Sequence, residues 1–130
     1  MHSIRITADQ REQMIDITRG VEAFVRDSGV DEGLVFLYVK HTTCGLTINE
    51  NEDPNVQLDM ISFLRKLIPQ TGQSFRHFEP NSDAHIKASL VGCSLMVPFE
   101  EGELQLGRWQ GIYLFEFDGP RERTILMTIR

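Results

Sequence analysis

The chain has little cysteine, no cluster of positive charge and no long apolar run, and each shortage narrows what it can do. Only two cysteines occur, Cys44 and Cys93, with no CxxC pair. A disulfide is open on sequence alone, but two reduced thiols are the simpler reading. No apolar stretch approaches the ~20 residues of a membrane span. The opening MHSIRITADQ lacks the charged-then-apolar pattern of a signal peptide. The expectation is a cytoplasmic protein with no membrane partner. Lys and Arg number 13 against 19 Asp and Glu, a formal net charge of −6. The basic residues are dispersed and densest at Arg121, Arg123 and Arg130. That argues against nucleic acid, whose phosphates draw on clustered cations. A small phosphorylated metabolite stays open, because one or two cations and a helix N-terminus suffice for it. Neither a Gly-rich phosphate loop nor an HExxH zinc motif is present.

What is there reads as one α+β domain over residues 1–130, with a hydrophobic share of 41% and a charged share of 25%. Ser3 to Ala8 and Met14 to Thr18 alternate apolar with polar residues, the period of half-buried strands. Thr18 is a candidate N-cap and Gly29 a candidate C′ residue for a helix carrying Val21, Phe24 and Val25. Gly33 to Lys40 (GLVFLYVK) is the strongest strand; apolar on both faces, it is expected to be central and covered on both sides. Leu46 to Asn49 is a return strand. Asp53-Pro54 starts a helix with the stripe Val56, Met60, Phe63, Leu64 and Leu67. A polar loop from Pro69 to Pro80 precedes a second capped helix, Asp83 to Val91, with Asn81 or Ser82 as its cap and Gly92 as its close. Strands follow at Ser94–Phe99, Glu103–Leu106, Gln110–Asp118 and Arg123–Ile129, with a hairpin turn at Glu100-Glu101-Gly102. The sum is about eight short strands in two sheets, sandwich-like, with three helices. More apolar sheet surface is expected than three short helices cover, which predicts an oligomer.

Three of the four histidines stand in two polar segments, HTTCGLTINENEDP (His41 to Pro54) and HFEPNSDAH (His77 to His85). Imidazole is the commonest protein metal ligand and titrates near neutrality. The two segments are read as halves of one site. One arrangement joins His41, His77 and His85 as ligands of a divalent metal such as Mg²⁺ or Zn²⁺, with positions left open for substrate. Another makes one histidine an acid or base and gives phosphate oxygens to the other two. Glu50, Asp83 and His85 are the candidates for acid–base work. Thr43, Asn49, Asn81, Lys87, Trp109 and Gln110 are the candidates for substrate binding. Each has a bland alternative. Asp53 and the asparagines can be helix caps. Lys87 can simply form an i,i+4 pair with Asp83 worth a few tenths of a kcal/mol. Trp109 can be core, and Glu116 can face a cleft or only water.

The segments HTTCGLTINENEDP, RHFEPNSDAHIKASLVG and LGRWQGIYLFEFDGPRER together resemble the YjbQ family, from about Ile4 to the C-terminus. The family's characteristic polar positions match at His41, Thr42, Thr43, Asn49, Glu50, Asp53, His77, Asn81, Asp83, His85, Trp109, Gln110 and Gly111. Cys44 and Cys93 fall where other members often carry Ala and Pro. The resemblance implies a single-domain α+β fold in two sheets, assembled as a homotrimer about a threefold axis. It also implies a secondary thiamine-phosphate synthase, joining a hydroxymethylpyrimidine diphosphate to a thiazole phosphate with loss of diphosphate, as a weak side activity. The competing expectation is a protein that binds a small phosphorylated metabolite without turning it over.

Overall fold

Alternation of apolar and polar residues builds most of the molecule, a computed structural model that describes residues 1–130. The elements run β1 His2–Ala8, β2 Gln13–Asp16, α1 Thr18–Ser28, β3 Gly33–Tyr38, β4 Cys44–Glu50, α2 Pro54–Leu67, α3 Ser82–Val91, β5 Ser94–Glu100, β6 Glu103–Leu104, β7 Gln110–Glu116 and β8 Arg121–Ile129. They form a five-stranded sheet in the order β1-β8-β3-β5-β6 and a three-stranded sheet in the order β2-β7-β4. Every pairing is antiparallel. The α+β architecture of two sheets and three helices is the one expected.

Between the sheets lies the main core, where Val35, Leu37, Val97, Ile125 and Met127 of the larger sheet meet Leu46, Ile112 and Leu114 of the smaller. Val21 and Val25 of α1 join this core. A second cluster forms where Ala84 and Ala88 of α3, with Met60, Ile61 and Leu64 of α2, cover Phe115 and Phe117. Gly45 makes that contact possible. A Cβ there would stand 2.7 Å from the carbonyl oxygen of Gly92 and 2.9 Å from Cγ1 of Val91. The β5–β6 turn, Glu101-Gly102, has φ of 55° and 74°, both positive as a two-residue type I′ hairpin requires.

Three expectations change. The strand β3 is not covered on both sides. Its inward residues Val35 and Leu37 are fully buried, while Leu34, Phe36 and Tyr38 are 38–40% exposed on the other face. In register beside them lie Met96, Pro98 and Leu126, so that face is an apolar sheet surface left open by the chain itself. Thr18 is not the N-cap of α1 but its first residue. Asp16 does the capping, its Oδ1 accepting from Thr18 N–H at 2.9 Å and from Thr18 Oγ1 at 2.6 Å. Asn81 occupies the N-cap position of α3, but its side chain bonds elsewhere. Asp53 does cap α2, accepting from Asn55 N–H at 2.9 Å, with Pro54 next to it as predicted.

Candidate functional site

Where β3 ends, the chain turns through His41 to Thr43 and enters β4, and this turn is fixed from below by a buried ion pair. Arg123 of β8 lies in phase with Ile125 and Met127, on the inward face of its strand. Its guanidinium Nε donates to Glu116 Oε1 at 2.7 Å, and Nη2 donates to Glu116 Oε2, to Thr43 Oγ1 at 2.8 Å and to the Thr43 carbonyl at 3.1 Å. Glu116 Oε2 also accepts from the N–H groups of Phe117 and Asp118, at 3.1 and 2.9 Å. With every oxygen and most of the guanidinium bonded, the pair meets the condition for burying two charges. Thr43, expected to bind substrate, is itself buried and engaged here.

His41 rests on this base. Its Nε2 accepts from Thr124 N–H at 3.0 Å, so the neutral ring carries its proton on Nδ1. Burial lowers its pKa from the ordinary histidine value, and the positive charge of Arg123 lowers it further, with Glu116 offsetting only part. Protonating Nε2 would also set two donors against each other. At neutral pH His41 is a neutral donor.

The helix α3 closes the other side. Asn81 Nδ2 donates to Asp118 Oδ2 at 2.9 Å, and the Asn81 carbonyl accepts from Ala84 and His85 N–H at 3.0 and 3.3 Å. This places His85 one turn into the helix. The Asn81 Oδ1 atom is buried and has no hydrogen-bond partner within the chain. Such an acceptor calls for a donor, since leaving it unmet costs about 1–3 kcal/mol. His41, Thr42, Cys44, His85, Ser89 and Cys93 line one cleft of about 460 Å³. The His77 ring stands edge-on to His85, centroids 5.6 Å apart at 84°. Burial pushes the Cys44 thiol up to about 11, so it is a protonated space-filler, with no thiolate character at neutral pH.

The two histidine segments thus come together, but several candidates do not join them. Lys87 is fully buried beneath α3, donating to Asp83 Oδ2 at 3.0 Å and Glu12 Oε2 at 2.9 Å. The i,i+4 pair with Asp83 does form, but buried beneath the helix rather than as a weak surface contact, and it leaves Lys87 no freedom to bind substrate. Asp83 has both oxygens taken, by Lys87 and by a bidentate Arg11 at 2.9 and 3.1 Å. Burial alone would raise its pKa, but the hydrogen bonds from Arg11 and Lys87 outweigh that and hold it below the usual carboxylate range. Asp83 is a fixed anion of the framework, not a proton carrier. Arg65 completes the cluster on Glu12 at 2.7 Å.

Glu50, Asn49, Trp109 and Gln110 lie at the far end of the smaller sheet. Glu50 pairs with Gln110 and Asn49 with Gly111, whereas Cys44 pairs with Glu116. Six residues of strand, at ~3.3 Å each, separate these ends by roughly 20 Å within one chain. Trp109 is 47% exposed under the Arg108 guanidinium, 4.8 Å from the ring centroid. Gln110 Oε1 accepts from Gly107 N–H at 2.7 Å, and Asn49 Oδ1 accepts from Glu50 N–H at 2.7 Å.

His41, His77 and His85 do not stand together as a three-ligand group within one chain. No three His, Cys, Asp or Glu side chains stand in the arrangement of a metal site. His77 and His85 stand side by side, but His41 would have to release Thr124 or its own Nδ1 proton to join them as a ligand. Arg123, Asp118, Arg11 and Glu12 are the framework residues that sequence reasoning missed, and Glu116, expected to face a cleft or water, is instead fully buried against Arg123. For Arg123 a signal existed, a charge in phase with the buried positions of its strand.

With this geometry in view, the relatives are informative. The family model described as UPF0047 protein YjbQ-like matches residues 2–130. The chain belongs to the YjbQ/UPF0047 family. It is 49% identical to UPF0047 protein MJ1081 of Methanocaldococcus jannaschii over 96% of its length and 90% of that protein's. It is 48% identical to UPF0047 protein YugU of Bacillus subtilis, covering 95% and 94%. Among solved structures it matches a YjbQ/UPF0047 protein of Clostridium acetobutylicum with a TM-score of 0.97, 45% identity and full coverage of both chains. A YbjQ-like protein of unknown function from Sulfolobus solfataricus gives 0.93 at 31% identity, covering 98% and 94%. YjbQ membership fixes the fold and leaves the reaction open. As to location, no helix is long and apolar enough to cross a membrane.

Proposed function

We propose that the His41–His85 cleft takes a small phosphorylated metabolite and turns it over, and that thiamine-phosphate synthesis from a pyrimidine diphosphate and a thiazole phosphate is the reaction to test first. One observation carries this reading: two imidazoles from distant segments line the same cleft, one of them held neutral and in a fixed tautomer. His41 Nδ1–H and the Thr42 hydroxyl supply hydrogen bonds to phosphate oxygens. His85, whose side chain bonds nothing within the chain, moves the proton. Were a divalent Mg²⁺ or Zn²⁺ ion bound instead, we propose that His77 and His85 would provide its protein nitrogens, and His85 would then be a ligand rather than the proton carrier.

The same reading places the protein in the cytoplasm, where Cys44 and Cys93 stay reduced, and assembles it as a homotrimer through the open face of the larger sheet, where Leu34, Phe36, Tyr38 and Met96 are 38–56% exposed. Glu50, Trp109 and Gln110 are proposed to reach a neighbouring subunit's histidine cleft.

The test incubates the purified protein with both phosphates and Mg²⁺. Product formation that falls about 100-fold in His85→Ala supports an enzyme. Absence of product from the wild type, with tight binding of either phosphate, supports the second reading, a binding protein. That reading has its own observation: Asp83 is locked in ion pairs and Glu50 lies roughly 20 Å away along β4, so neither carboxylate expected to do acid–base work is placed for it within one chain.

A further inference from the structure

A second cleft lies on the smaller sheet, and it shares no residue with the histidine cleft. It is a space of about 440 Å³ between the edge strand β2, β7 and the first turns of α2. Its apolar surfaces come from Met14, Leu58 and Ile61, and its polar ones from amides, chiefly Gln10, Asn51 and Gln57. No Lys, Arg or His lines it, and its one charged residue is the carboxylate of Asp16.

The amides are not idle surface groups. Gln57 Nε2 donates both to the Glu50 carbonyl and to the Tyr113 hydroxyl, the latter at 2.9 Å. The Tyr113 hydroxyl in turn donates to the same carbonyl at 3.0 Å. Because a carbonyl only accepts, Gln57 is fixed in one amide orientation. Its Oε1 therefore stands as an acceptor held in place with nothing in the chain to meet it. The side chains of Gln10 and Asn51 likewise form no hydrogen bond within the chain. Leu58 is 61% exposed, an apolar side chain beside this polar set on a helix that buries no residue fully.

We propose that this cleft is a binding site for an uncharged planar heterocycle of the nucleobase type. Amides with both donors and acceptors match a ring edge that alternates the two. Met14, Leu58 and Ile61 suit its flat apolar faces. A lone carboxylate with no cation disfavours phosphates, so the two clefts select for different ligand chemistry. Volume and mixed lining fall in the range of small-molecule sites.

The experiment titrates ¹⁵N-labelled protein with adenine, cytosine and uracil to millimolar concentration, and with inorganic phosphate as the contrast. At least one base is expected to shift the amides of Met14, Gln57, Leu58 and Tyr113, while phosphate leaves them still. Leu58→Lys should weaken that binding at least tenfold, and it should fold, since Leu58 is largely exposed. Gln10→Ala, which breaks no bond within the chain, should weaken it several-fold. His85→Ala should leave it unchanged, which separates this site from the one above. No shift with any base, or equal binding in Leu58→Lys and wild type, would overturn the proposal.

Discussion

Replacing Lys87 by Met separates a framework role from a ligand role at a position where the two were easily confused. The ammonium is fully buried and sits 2.9 and 3.0 Å from two carboxylates that are themselves at most 5% exposed. Removing one partner of such a cluster typically costs 3–5 kcal/mol, because a charge is left buried without its match. Here Glu12 keeps Arg65 and Asp83 keeps Arg11, so the lower end applies, about 3 kcal/mol. For a chain of this size that is a fall of roughly 10–15 °C in Tm. The acid side of the stability curve should change too. Burial raises the pKa of both Glu12 and Asp83, but hydrogen bonds from Lys87 with Arg65 or Arg11 outweigh it and depress both. Depressed carboxylates stabilise the fold above their unfolded pKa, about 4, and that stability is lost as pH falls through the folded values. Lys87→Met should flatten this loss. Urea unfolding at fixed protein concentration between pH 3 and 7 measures both effects. A change below 1 kcal/mol at pH 7, or an unaltered acid slope, would refute the reasoning.

Gly45→Ala should cost about 2 kcal/mol or more, since its Cβ meets the Gly92 carbonyl and Val91, and should displace α3 and His85, read by denaturation and by the His85 imidazole shifts. Glu101→Asn should stabilise by several tenths of a kcal/mol, because Asn tolerates the positive φ of a type I′ turn better than Glu does. Imidazole NMR should show His41 titrating below the ordinary histidine range. Its lowered pKa means the associated stability is present at neutral pH and lost as pH falls below the unfolded value, ~6.5.

Strand existence was legible wherever one face is buried, as at Ile4 and Ile6, or at Val35 and Leu37, because period two reports burial directly. The Asp53-Pro54 start of α2 was legible because its chemistry is local. Burial of the outer face of β3 was misread. An apolar face in the sequence cannot say whether the same chain covers it. Lys87 and Asp83 were misread for a related reason: an i,i+4 pair has the same spacing on the surface as beneath a helix, and only Arg11 and Glu12, far away in sequence, decide between them. The histidine segments were grouped by their shared polar character, and His41 and His85 do line one cleft. Glu50, Trp109 and Gln110 share that character too, and strand direction carries them to the other end of the sheet.

Titrating the thiazole phosphate into protein observed through its histidine imidazole resonances tests the central claim most directly. The account predicts shifts at His41 and His85, with His2 at the start of β1, stacked on Phe24, unmoved, and loss of binding by at least tenfold in His41→Ala. Saturable binding that leaves His41 and His85 unshifted, or that survives both His41→Ala and His85→Ala in folded protein, would contradict it.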